Sequence, residues 1–316
     1  MSFDLDALKA AVAEHGRVTR VVIADLRGSS PREVGTAMLV WDTGQSGTIG
    51  GGALEFEAAK AARDQREASR LTRHALGPEL GQCCGGAVSL LSEVYDAEAV
   101  AALEGAVIAR PVSGAAEMPL AVRRLLDAAR AQGAQPAPAL IDGWMVEPVT
   151  RPTRDLWIWG AGHVGRALVD VLSPLPDLAI TWVDTGPERF PENVPAAVTV
   201  LPAVNPGDLV RHAPERAAHL IVTYSHALDL ELCHRLLSHG FDFAGLIGSA
   251  TKWARFRSRL RALGHAPETI ARITCPIGDP ALGKHPQQIA IGVAAQLMRP
   301  GATRTRPMAE TEERRA

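Results

Sequence analysis

The sequence predicts an α/β protein in two parts: a C-terminal Rossmann-type doubly wound parallel sheet, and before it an N-terminal mixed α+β domain. Three observations predict it. From residue 151 onward, short apolar strand-like runs alternate with helical stretches, the pattern of parallel sheets built from β-α-β units. The first of these runs leads directly into Gly160-Ala161-Gly162-His163-Val164-Gly165, a G-x-G-x-x-G that opens a helix. Upstream, between about residues 105 and 154, the composition breaks: Pro111, Pro119, Pro136, Pro138, Pro148 and Pro152 fall there among Ala- and Gln-rich filler. The length of 316 residues also favours two domains. The expected division is 1–150 and 151–300, with a polar tail, 301–316, expected to be disordered.

In chain order, residues 18–26 (VTRVVIADL) and 36–42 (TAMLVWD) are rich in β-branched and apolar residues and are assigned to strands. Between them, 28–35 (GSSPREVG) is a loop dense in turn formers. Residues 47–52 (GTIGGG) lead into an Ala-, Glu- and Arg-rich stretch, 53–71, expected as one long helix. Residues 87–95 (AVSLLSEVY) read as a strand, and 120–131 as the one helix inside the proline-rich break. In the second part, strands are expected at 156–159, 179–183, 197–201, 219–222, 243–247 and 273–275. Helices are expected at 162–172, 229–238, 252–263 and 287–298.

Lys and Arg number 33 against 35 Asp and Glu, a formal net charge of −2. That is no electrostatic footprint for nucleic acid. Hydrophobic residues make up 47 % and charged residues 22 %, a balance that allows each half a core of its own. The basic cluster 252–261 (KWARFRSRLR) has two readings: a solvated helix face, or an anion site or partner-docking face. The first residues, MSFDLD, lack the basic and apolar regions of a signal peptide. No run reaches the ~18 apolar residues of a membrane span. The cysteines, at 83, 84, 233 and 275, form no disulfide framework, since bridging the adjacent pair closes a strained ring. A cytoplasmic location is expected.

The glycines of 160–165 suit a tight turn that turns backbone N–H groups toward a phosphate at a helix head. Asp184 ends the next strand, where an acidic residue meets a ribose hydroxyl. The ligand read from this corner is NAD(P) or another nucleotide; the alternative is a bare scaffold. Gly50-Gly51-Gly52 before a helix is either an anion cradle or a hinge. Glu55 and Glu57 near that helix start favour its dipole without any ligand. In Gln82-Cys83-Cys84-Gly85-Gly86, two thiols sit on bare backbone. The spacing is not that of a closed zinc site. A nucleophilic or metal-facing thiolate and a tight turn with small buried thiols are both open. Thr223-Tyr224-Ser225-His226, with Asp229, follows a strand end, so His226 is a candidate cleft residue and Ser225 a candidate helix cap. Gly248, Ser249 and Lys252 stand in the same relation to the next strand, and Cys275 ends the last.

Taken together, GSSPREVG (28–35), GTIGGGALE (47–55), QCCGG (82–86), GAGHVG (160–165), TYSHALD (223–229), GLIGS (245–249) and CPIG (275–278) resemble the XdhC family, the xanthine dehydrogenase accessory proteins, over about residues 17–299. The resemblance implies a chaperone for the molybdenum cofactor and not an enzyme. Such proteins hold this molybdopterin-bound metal while a cysteine desulfurase replaces an oxo ligand with sulfur. They then deliver it to the molybdenum-binding large subunit of xanthine dehydrogenase, an enzyme of purine metabolism. Molybdenum cofactor biosynthesis proteins are further implied partners, and a homodimer is left open. Carried onto this chain, the Cys-Gly-Gly element is Cys84-Gly85-Gly86, with Cys83 and Gln82 beside it, and Cys84 is the expected contact to molybdenum. The other cofactor-binding positions expected are Gly50, Gly51, Gly52, Gly160, Gly162, His163, Gly165, Asp184, His226, Gly248 and Ser249. The chain departs from the family pattern at Asp279-Pro280-Ala281-Leu282-Gly283 and at Ala250-Thr251, which bears on its C-terminal pocket. Read from the residues alone, an NAD(P)-dependent oxidoreductase on 160–165 and Asp184 is the rival, and a redox switch at Cys83 and Cys84 a third reading.

Overall fold

The computed structural model describes residues 3–28, 32–76, 86–112 and 117–299. The chain divides into two compact units, Met1–Thr150 and Arg151–Ala316.

The first unit runs α1 (Leu5–His15), β1 (Val18–Arg27), β2 (Ala37–Trp41), β3 (Gly44–Gly47), α2 (Gly52–Asp64), β4 (Ser69–Ala75), β5 (Ala87–Tyr95), α3 (Ala97–Ala101), β6 (Val107–Pro111), α4 (Leu120–Gln132), β7 (Ala139–Ile141) and β8 (Trp144–Pro148). An antiparallel sheet is ordered β3-β2-β1-β5-β4, and a smaller one β6-β8-β7. β1 is central, and its side chains alternate between two layers. Val21 and Ile23 pack with Leu54, Ala58 and Ala62 of α2, while Val22 and Ala24 pack with Met145 of β8.

Arg20 shares the second of these faces, and there the unit buries four charges. Arg20 donates to both oxygens of Glu147 at 3.0 and 2.7 Å. Arg110 donates to both oxygens of Glu93 at 2.6 and 2.7 Å and to Glu147 Oε2 at 2.6 Å. Every member is buried, and Arg20 also stacks 4.2 Å above the Phe3 ring. Such a cluster joins two sheets by two-pronged guanidinium–carboxylate pairs, the geometry that best offsets lost hydration.

Two expectations are corrected here. The helix expected at 53–71 stops at Asp64. Gln65 is extended (φ −65°, ψ 130°) and its amide donates to the carbonyls of Glu67 and Ser92. Residues 65–70 (QREASR) offer no large apolar side chain at helical spacing, whereas the edge of β5 offers backbone partners. β4 takes them, from Ser69↔Glu93 to Ala75↔Ala87, and pairing outweighs helix propensity. The proline-rich break also holds more than one helix: it builds β6, α4, β7 and β8, and supplies Arg110 and Glu147.

The second unit runs β9 (Arg154–Trp159), α5 (His163–Leu172), β10 (Leu178–Asp184), β11 (Val198–Pro202), β12 (Ala218–Ile221), α6 (His226–His239), β13 (Phe243–Leu246), α7 (Ala250–Ala262), α8 (Pro267–Ile270), β14 (Ile273–Thr274) and α9 (Pro286–Met298). Its sheet is parallel throughout, ordered β11-β10-β9-β12-β13-β14. Both faces are covered, as the expected doubly wound class requires. Leu156 and Ile158 of β9 face the layer of α5 and α9, and Trp157 and Trp159 face the layer of α6 and α7. The buried His219 accepts from Trp159 Nε1 at 3.2 Å, and burial pushes its pKa down to about 3, so it is a neutral core residue. Among the described residues, no helix is long and apolar enough to cross a membrane.

Candidate functional site

Counted from β9, the sheet has the order 3-2-1-4-5-6. The winding direction reverses between β9 and β12, and ligands of such sheets bind there, beyond the carboxyl ends of the strands. The glycine turn sits at this point. Gly160 has φ +118°, and a Cβ on it would stand 2.7 Å from the Val222 carbonyl oxygen, so the turn lies against the end of β12. A Cβ on Gly165 would stand 1.9 Å from the Gly160 carbonyl oxygen, so this glycine lets α5 seat on the turn. Gly162 differs. It is the N-cap of α5 in extended backbone (φ −75°, ψ −172°), no side chain caps the helix, and a Cβ there would meet nothing within 4 Å. His163 follows, exposed, at the first helical position. The uncapped head of α5 therefore faces open space, with the orphan N–H groups of a first helical turn.

Asp184 is brought to this turn and is buried. Its Oδ2 accepts from Ala161 N at 2.5 Å, and its Oδ1 accepts from Thr185 N at 2.6 Å and lies 3.5 Å from Arg189 Nε. It braces the glycine loop, and a ribose hydroxyl would have to displace one of these partners. Arg189 also lies 4.8 Å over the ring of Tyr224, which is 70 % exposed. The pair joins the loops after β10 and β12.

At the ends of β12, β13 and β14 a second polar group forms. Ser225 caps α6 by accepting from Leu228 N, and His226 is exposed in the next position. Asp229, fully buried, accepts from Thr223 Oγ1 at 2.7 Å and Lys252 Nζ at 2.6 Å. Lys252 Nζ also donates to the Ile247 carbonyl at 2.8 Å. Ser249 caps α7 by accepting from Lys252 N at 3.2 Å. Gly248 lies between, with its carbonyl 3.9 Å from Cys275 Sγ. Burial pushes the Cys275 thiol up to about 11, against the opposing pull of Lys252, so it is a neutral thiol near pH 7.

In the first unit, Gly50, Gly51 and Gly52 all have positive φ (129°, 76° and 70°). The anion this run holds is the chain's own. Glu55 Oε2 accepts from Ile49 N at 3.0 Å, Gly51 N at 2.9 Å and Thr48 Oγ1 at 2.5 Å. Burial raises its pKa, but these hydrogen bonds outweigh burial and hold it below the ordinary carboxylate value. Of the cysteine motif, Gln82, Cys83, Cys84 and Gly85 lie outside the described residues. Gly86 is buried, and its carbonyl accepts from Leu76 N at 2.8 Å.

Known proteins match both units. The model of the XdhC Rossmann domain matches residues 156–297, and the model of the XdhC and CoxI family matches residues 11–75. The chain belongs to the XdhC family. A curated relative is the uncharacterized protein YqeB of Escherichia coli (strain K12), 27 % identical over 287 residues. That alignment takes in 87 % of this chain and 42 % of the relative, so the chain spans about two fifths of the length of the curated relative it matches. Among solved structures, a protein described as a xanthine dehydrogenase from Bacillus halodurans has the same fold, with a TM-score of 0.67 and 98 % of each chain covered at 21 % identity.

The arrangement in this XdhC-family chain is one of binding groups: an uncapped helix head, fixed cations and hydroxyls. Among the described residues, no group of three or more His, Cys, Asp or Glu side chains is placed to hold a metal ion. The structure brings Gly160, Gly162, His163, Gly165 and Asp184 to one corner. His226, Gly248 and Ser249 gather at the neighbouring strand ends. Two features escaped sequence reasoning. One is the buried Asp229–Lys252 pair, signalled only by an acid in the first turn of α6 and a lysine in that of α7. The other is the Arg189–Tyr224 pair, for which the sequence carries no signal.

Proposed function

We propose that this chain is an accessory protein of xanthine dehydrogenase maturation that binds the molybdenum cofactor, protects it, supports its sulfuration and hands it to the enzyme's large subunit. The observation that carries this reading is the match of two XdhC family models, one in each unit. A cysteine desulfurase is the sulfur donor on this reading, and cofactor biosynthesis proteins supply the cargo.

The cargo has an anionic, phosphate-bearing end and a soft molybdenum–sulfur end. The open head of α5 at Gly162 suits the first, because uncommitted N–H groups and a helix dipole stabilise an anion without a protein cation. The Cys84 thiolate, with Cys83 beside it, suits the second, because soft ligands prefer soft partners. The oxidoreductase reading has less support: Asp184 is already engaged by the glycine loop, Thr185 and Arg189.

The test is to mix anaerobically purified protein with molybdenum cofactor, pass it through a desalting column and read retained metal and pterin fluorescence. Retention is expected in the wild type and loss in Cys83→Ala/Cys84→Ala. If the double variant retains the cofactor and still activates the client enzyme, the cysteine assignment is wrong. If the wild type retains none but binds a nicotinamide nucleotide saturably, the oxidoreductase reading replaces this one.

A further inference from the structure

We propose that the face of α7 beside His226 is a separate anion site, one that takes the phosphate or diphosphate group of a small molecule. A surface cavity of about 520 Å³ lies there, and Lys252, Arg255 and Arg259 line it with His226, Ser249 and Ser258. The three cations fall at i, i+3 and i+7 of one helix and so share a face. No carboxylate lines the cavity.

Lys252 is paired with the buried Asp229, but the two arginines are not neutralised from elsewhere. Arg255 and Arg259 are exposed, and neither has an ion pair or hydrogen bond from its side chain among the described residues. Some surface arginines of this unit do find acids, as Arg235 reaches Asp208 and Glu231 and Arg154 reaches Asp177. Arg257 and Arg261 of α7 also find none among the described residues, and differ from Arg255 and Arg259 in lying outside the cavity. A solvated helix face normally mixes signs, and α7 (ATKWARFRSRLRA) has no acid.

Part of the site is held in place before any ligand arrives. Two donations, to Asp229 and the Ile247 carbonyl, fix the Lys252 ammonium and leave it a third N–H. Ser249 uses its oxygen as an acceptor in capping α7, so its hydroxyl hydrogen is free to donate. The two guanidiniums supply forked donors matched to phosphate oxygens. The site stands past β13, whereas the glycine corner stands past β9, and the inference does not depend on the molybdenum reading.

Inorganic pyrophosphate is the probe, titrated calorimetrically into the full chain. Saturable binding is expected. Arg255→Gln/Arg259→Gln is expected to weaken it at least 10-fold. Arg257→Gln/Arg261→Gln, on arginines of α7 outside the cavity, removes the same charge and is expected to change it less than 2-fold. The same ratio is expected with Gly162→Asp in place, which weakens anion binding at the glycine corner. Circular dichroism checks that α7 persists in each variant. Equal weakening by both arginine pairs would reduce the effect to diffuse charge and overturn the site, as would the absence of saturable binding in the wild type. Failure of cofactor retention leaves this result untouched, and the reverse holds as well.

Discussion

Gly162→Asp should raise stability slightly while weakening anion binding at the glycine corner about 10- to 30-fold. The position already has extended backbone at φ −75°, which an aspartate adopts without strain, and its Cβ would meet nothing within 4 Å. It is also an N-cap with no side-chain cap, the place where aspartate is favoured over glycine by a few tenths of a kcal/mol. The new charge at the helix head contributes about 0.3–1 kcal/mol more. A total of about 0.5–1 kcal/mol corresponds to a Tm about 1–3 °C higher for a domain of this size. Against a bound anion the same charge acts in the opposite sense. At about 5 Å and an effective dielectric of about 20 it opposes one unit of negative charge by about 3 kcal/mol. Screening at an exposed helix head reduces that to about 1.4–2 kcal/mol, a loss of about 10- to 30-fold in affinity. Thermal denaturation and the desalting assay with molybdenum cofactor read the two effects on one protein. A fall of several degrees in Tm would refute the local geometry at Gly162. Unchanged cofactor retention would refute the assignment of the anion to α5.

Two further predictions concern what holds the frame. Gly165→Ala places a methyl 1.9 Å from the Gly160 carbonyl oxygen; relief requires a shift of about 1.4 Å to reach an ordinary C···O contact, so denaturant melts should show a loss of about 1–3 kcal/mol or more. Glu147→Gln takes from the buried Arg20 its two-pronged carboxylate partner and from Arg110 one of its two carboxylates, and urea melts should show a loss of about 3–5 kcal/mol. Burial raises the Glu147 pKa, but Arg20 and Arg110 outweigh it and hold it below the ordinary carboxylate range. Its contribution is therefore complete above the unfolded value of about 4.3 and lost as pH falls through the folded value. Urea midpoints taken from pH 6 down to pH 3 should fall less steeply in the variant than in the wild type, and parallel curves would count against that role for Glu147.

What was legible in the sequence was whatever depends on local periodicity and local glycine. The alternation after residue 151 marked the parallel sheet, since strand and helix periods differ and each must bury one face. Gly160, Gly162 and Gly165 marked the turn, since a G-x-G-x-x-G between strand and helix has few other uses. Ser225 was legible as a cap because capping is settled within a few residues. The N-terminal half was harder to read. Residues 65–71 look helical by composition, yet the helix stops at Asp64 and β4 begins at Ser69, because the free edge of β5, which this stretch meets only after folding, decides its state. The proline-rich stretch looks like a linker, yet it brings Arg110 and Glu147 to Arg20 and Glu93, an arrangement no spacing announces.

The same division runs through the candidate site. By itself the sequence determined the Rossmann class, the glycine corner, the family resemblance and the basic character of 252–261, all of which are properties of neighbours along the chain. Only the tertiary structure decided which of these groups are free. Glu55 fills the Gly50–Gly52 run, Asp184 is bound to its own loop and Lys252 is pinned by Asp229, while Gly162, Arg255 and Arg259 are left open. Occupancy depends on which side chains from distant segments arrive within hydrogen-bonding distance, and only the folded chain brings them there.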